Sequence, residues 1–89
     1  MKQVLNERNL KFTVLYEPSE EGGYVVTVPA LPGCVTQGET LEEARAMVRD
    51  AIRGYLESLL KRGQPIPDDV DLPLDPAKEK VEVRFPPPR

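Results

Sequence analysis

Residues 23 to 44 read Gly-Tyr-Val-Val-Thr-Val-Pro-Ala-Leu-Pro-Gly-Cys-Val-Thr-Gln-Gly-Glu-Thr-Leu-Glu-Glu-Ala, and this run constrains the fold more than any other part of the chain. Tyr24, Val26 and Val28 share one face of a strand, in which the β-branched Val25 and Thr27 suit the pleat. Pro29 then ends the row of backbone donors. Leu31-Pro32-Gly33 is a turn, because the proline presets one φ and the glycine takes the next. Cys34 to Gln37 follow as a short third strand. Thr40, with Glu43 three residues on, forms a reciprocal capping box, so a helix begins at Leu41.

The flanking segments complete the same design. From Leu10 the chain alternates, with Leu10, Phe12, Val14 and Tyr16 on one face and Lys11, Thr13 and Glu17 on the other, the period of a half-buried strand. Pro18 to Gly23 supply the special φ values of a reversing loop, so this strand and the next form a hairpin. Leu41, Ala44, Val48, Ala51, Ile52, Tyr55, Leu56 and Leu59 recur at helical spacing as one apolar stripe, interrupted by Gly54 and closed by Gly63 as a left-handed cap. Residues 64–78 are a Pro/Asp-rich connection that resists helix and sheet. Val81, Val83 and Phe85 alternate as a last strand, ended by Pro86-Pro87-Pro88.

The expected fold is α+β in two layers, β-β-β-α-β, with one long helix packed on a small, mainly antiparallel sheet. The expected organisation is a polar lead-in over 1–8, one domain over 9–86 and a tail over 87–89. One sheet face is left without a helix, and Leu15 and Val25 point to it as a candidate subunit contact. A chain of 89 residues has a small core, so oligomerisation is expected to support it.

Charge and composition exclude several chemistries. A net charge of −3 without a Lys/Arg cluster argues against direct nucleic-acid binding. There is no apolar run long enough for a membrane helix and no leader pattern, and the single Cys34 has no bridge partner, so a cytoplasmic protein is expected. The chain has no histidine, which removes the usual base for a Cys34 nucleophile. Two-metal nuclease chemistry needs converging carboxylates. Glu17, Glu39 and Asp50 belong to a strand end, a helix cap and an exposed helical face. Asp68, Asp69, Asp71 and Asp75 lack the closing glutamate of a calcium loop and read as a solvated linker. No cofactor or metal is expected.

The hairpin, the Val-Pro-Ala-Leu-Pro-Gly-Cys-Val-Thr-Gln-Gly-Glu-Thr run and the Glu-Glu-Ala helix start resemble the HicB family of bacterial and archaeal antitoxins. The matching residues are Gly22, Gly23, Tyr24, Pro29, Leu31, Pro32, Gly33, Cys34, Gly38, Glu39, Thr40, Glu42, Glu43 and Ala44. The resemblance implies a truncated ribonuclease-H-like fold and a non-enzymatic antitoxin that binds and masks a HicA-type mRNA interferase. It also implies operator binding through an added C-terminal segment, for which the four residues after Phe85 are too short. Glu20, Glu21 and Tyr24 at the hairpin, with the Pro32-Gly33-Cys34 turn, are the candidate partner-binding residues. Two alternatives are a degenerate ribonuclease-H-like nuclease and an interaction module without a toxin. A short basic chain encoded next door would favour the antitoxin.

Overall fold

Five elements succeed one another: β1 (Arg8–Pro18), β2 (Tyr24–Thr27), β3 (Val35–Gly38), α1 (Leu41–Lys61) and β4 (Lys78–Phe85). The computed structural model describes residues 8–85. The four strands form one sheet in the order β3-β2-β1-β4, with every neighbouring pair antiparallel. This is the expected α+β arrangement, with β1 as the long central strand. Of the expected lead-in only Arg8 lies within the described residues, where it opens β1; the terminal proline run and tail lie outside them.

Period two puts alternate side chains of each strand under the helix. Phe12, Val14 and Tyr16 of β1, Val26 of β2 and Val81, Val83 and Phe85 of β4 are buried there against Ala44, Val48, Ile52, Leu56 and Leu59 of α1. Leu31 and Cys34, from the turn between β2 and β3, close the same core. The stripe expected on α1 is narrower than its apolar residues suggest, since Ala51 and Tyr55 are only partly buried and Leu41 is 39% exposed.

The helix can lie on the sheet because its first turn and the strand ends approach at backbone distance. Gly23, at φ +74°, sits where a Cβ would be 2.6 Å from the Gly38 carbonyl oxygen. A Cβ at Gly38 would in turn be 2.6 Å from the Ala44 amide nitrogen. Glycine at both positions therefore lets β2, β3 and α1 meet at one point.

Both ends of α1 are capped by the chain itself. The Glu43 amide donates to Thr40 Oγ1 at 3.0 Å, as expected of an N-cap. The reciprocal half of the capping box differs from expectation: the Glu43 carboxylate accepts from the amide of Glu39, one residue before the cap. At the other end Gly63 N–H donates to Leu60 O at 3.0 Å and Gln64 N–H to Leu59 O at 2.9 Å, with Gly63 at φ +68°. That pair of bonds is a Schellman motif, which satisfies carbonyls the last helical turn leaves free.

The Pro/Asp-rich connection has no helix or strand, yet it is more than a solvated linker. Tyr16 N–H bonds to Ala77 on the β4 side, so the amides of odd-numbered β1 residues point the other way, towards β2. Beta-2 pairs with β1 only from Leu15 to Pro18, which leaves Thr13 facing an open edge. Asp69 fills that edge. Its Oδ1 accepts from Thr13 N–H at 2.7 Å, and its Oδ2 accepts from Thr13 Oγ1 at 2.9 Å and from Lys80 Nζ at 2.7 Å. Thr13 is consequently fully buried although it faces away from the helix. The chain between Asp69 and Ala77 passes from one side of β1 to the other, while Ile66 and Val70 pack against the core.

Candidate functional site

The six candidate partner-binding residues fall into two groups at opposite ends of β2. Glu20 and Glu21 are exposed in the turn that precedes it, where Ser19 N–H bonds to Gly23 O and Gly22 N–H to Ser19 O. Tyr24 opens β2 and is half-buried beside the helix start. Pro32 and Gly33 are exposed beyond its other end, about 13 Å away at the rise of an extended strand. Cys34 is buried beneath them. The fold does not bring the two groups together.

The Pro32-Gly33-Cys34 turn is held firmly. Val28 N–H bonds to Cys34 O, Leu31 N–H to Val28 O and Cys34 N–H to Leu31 O, while Tyr55 Oη donates to Pro32 O at 2.8 Å. Gly33 takes φ +85° in this loop. Burial pushes the Cys34 thiol above its ordinary pKa, which disfavours the reactive thiolate. Cys34 acts as an apolar plug under the turn.

At the hairpin end the side chains build an open hollow. Tyr16, Pro18, Tyr24, Leu41, Pro76 and Ala77 line about 290 Å³ between the start of α1, the hairpin and the entry to β4. Behind it Tyr16 Oη donates to Glu79 Oε1, which also accepts from Arg45 Nε at 2.7 Å. Burial, then the bond to Glu79, raise the Tyr16 pKa far above its ordinary value. Partial burial opposes ionisation of Glu79, but Arg45 and Tyr16 outweigh it and hold that carboxyl low. These three groups fix the inner wall of the hollow.

The helix-free face consists of cross-strand rows. Leu15 lies opposite Lys78 on one side and Thr27 on the other, and Thr27 lies opposite Val35; Val25 stands between Glu17 and Gln37. Leu15 and Val25 are therefore diagonal rather than paired. Both are half-buried, and Val35, 56% exposed, extends their patch to the sheet edge.

The carboxylates weighed for metal chemistry are dispersed. Glu17 is exposed on the helix-free side of β1, Glu39 is exposed ahead of α1, and Asp50 pairs with Arg53 on the outer side of the helix. Asp69 is committed to Thr13 and Lys80, and Asp75 accepts from Ala77 N–H and Lys78 Nζ. Among the described residues no group of three or more His, Cys, Asp or Glu side chains is arranged to hold a metal ion.

Comparison with known proteins gives the family. A family model described as the HicB-like antitoxin of bacterial toxin-antitoxin systems matches residues 12–84, from Phe12 in β1 to Arg84 in β4. The chain belongs to this HicB-like antitoxin family. Among its relatives a UPF0150 protein of Thermoplasma acidophilum is 53% identical over 60 residues, covering 67% of this chain and 87% of that one. Antitoxin HicB 1 of Photorhabdus laumondii is 39% identical over 79 residues, covering 81% of this chain and 51% of its own length. The crystal structure of the N-terminal domain of Burkholderia pseudomallei antitoxin HicB superposes with TM-score 0.61 at 25% identity, over 83% of this chain and 95% of that domain.

With the HicB-like family established, its sequence signature acquires physical reasons. Gly23, Gly38 and Ala44 are the close-approach point of two strands and the helix, and Thr40 and Glu43 cap that helix. What sequence reasoning missed is the hollow itself. Periodicity places Leu41 in the buried stripe, and composition places Pro76 in a surface connection. The one available signal is the position of Leu41 as the first residue of the helix, three residues before the first buried one, Ala44.

Proposed function

We propose that this HicB-like chain is the antitoxin of a toxin-antitoxin pair and acts in the cytoplasm by binding and masking a HicA-type mRNA interferase. The reading is non-enzymatic: the chain occludes its partner and breaks no bond. The family match over residues 12–84 carries it, because that match spans β2, β3 and the helix and takes in most of β1 and β4. The scattered placement of Glu17, Glu39 and Asp50 also supports binding over nuclease chemistry.

In this reading the exposed ends of the sheet, at Glu20, Glu21 and Tyr24 or at Pro32 and Gly33 above Cys34, present the toxin-facing surface. The helix-free patch around Leu15 and Val25 joins subunits into a dimer or tetramer, adding apolar burial that so small a core lacks. Co-expression with a HicA-type mRNA interferase tests the proposal. Restored growth and co-purification of the two proteins are expected. Persistent growth arrest with no recovered complex would contradict it.

A further inference from the structure

Two hollows flank the start of α1 at the hairpin end. The one on the β4 side is the hollow lined by Tyr16, Tyr24, Leu41 and three small or proline residues, and most of its wall is apolar. Its volume of about 290 Å³ suits one or two side chains, at the lower limit of small-ligand sites. On the β3 side Ser19, Glu21, Gly38, Glu39, Glu43 and Met47 line a more polar hollow of about 330 Å³. Met47, 43% exposed, and Leu41, 39% exposed, leave an apolar surface in water beside each.

The charges around the hollows have one sign. Glu20, Glu21, Glu39, Glu42 and Glu43 are exposed and form no ion pair among the described residues. The nearby cations are engaged, Arg45 by Glu79 and Lys78 by Asp75. Glu42 and Glu43 suit the first turn of a helix and Glu20 and Glu21 a solvated turn, so the carboxylates alone would need no partner. The apolar hollow lies across the helix start from the polar one that Glu21, Glu39 and Glu43 line, and a folded chain gains nothing by leaving it open.

We propose that this end docks a cationic segment of a protein partner. One aliphatic or aromatic side chain of that segment enters between Tyr24 and Leu41, and its neighbouring arginines or lysines lie against Glu21, Glu39, Glu42 and Glu43. Charge complementarity selects this occupant. Phosphate backbones are repelled, and a second copy placed symmetrically would bring the same carboxylates face to face. The proposal deepens the masking reading and rests on it for the partner's identity, though not for its chemistry.

The test is a pair of titrations of the isotope-labelled chain followed by NMR. One probe is a HicA-type mRNA interferase, and the other is a synthetic arginine-rich peptide with a single tryptophan. Amide shifts should cluster at Tyr24, Leu41, Glu42 and Glu43 with both probes. Leu41→Ser and the Glu21→Gln/Glu42→Gln pair, all at exposed positions, should each weaken binding at least about tenfold. Affinity should fall between about 0.1 M and about 1 M salt as the screening length shrinks from roughly 10 Å to 3 Å. Shifts confined to Pro32 and Gly33, or to the Leu15 face, would overturn the proposal and leave the masking reading intact. Peptide binding at this end without binding of the interferase would uphold the site and overturn the masking reading. Binding of neither probe would overturn both.

Discussion

A methyl group at Gly38 would sit 2.6 Å from the Ala44 amide nitrogen and 2.7 Å from its Cα, both backbone atoms that cannot swing aside. Gly38→Ala should therefore cost about 1–3 kcal/mol, seen as a lower urea midpoint at unchanged slope. Gly54 is the opposite case. Nothing lies within 4 Å of its hypothetical Cβ, so Gly54→Ala should stabilise by roughly 0.5–1 kcal/mol through helix propensity. Asp69 supplies the acceptor that β2 stops short of giving to Thr13, and Asp69→Ala should cost about 1–3 kcal/mol by leaving a buried amide unpaired. Partial burial resists ionisation of Asp69, but Lys80 and the Thr13 donors outweigh it and lower its pKa. A carboxyl held low in the folded state stabilises fully above the ordinary carboxylate range, about pH 4, and loses that contribution as pH falls through its depressed folded value. Thermal melts should thus show stability falling below about pH 4, with a shallower acid limb in an Asp69→Asn/Glu79→Gln variant.

At the level of elements, the strands, hairpin and helix were legible because their signals are local. Alternation from Leu10 to Tyr16 and three-and-four spacing from Ala44 to Leu59 each reach a conclusion within a few turns of chain. Thr40 and Gly63 mark the helix ends for the same reason, and Thr40→Ala should cost about 1 kcal/mol by losing the bond to the Glu43 amide. The connection was not legible. Its prolines and aspartates carry no period, and the partner of Asp69 is 56 residues away in sequence. The Arg45–Glu79 pair, 34 residues apart, is invisible for the same reason. Of the candidate partner-binding residues, Glu21 and Tyr24 line hollows beside the helix start, while Pro32 and Gly33 stand at the far end of β2. Only the register of β2 between its neighbours decides that separation.

For the whole molecule, the distribution of surfaces suggests a division of labour. The helix-free rows carry Leu15, Val25 and Val35, the hairpin end carries the acidic hollows, and the helix face is consumed by the core. If the helix-free patch joins subunits, Leu15→Glu combined with Val25→Glu should shift the sedimenting species to the mass of a single chain without weakening the partner contact. Masking requires no turnover by this chain, so its effect must follow stoichiometry. The most direct measurement is cleavage of RNA by a HicA-type mRNA interferase as this chain is titrated in. The account predicts that cleavage falls linearly to zero at a fixed molar ratio, with the purified chain inert towards RNA. Cleavage of RNA by this chain alone, or undiminished cleavage at molar excess, would contradict it.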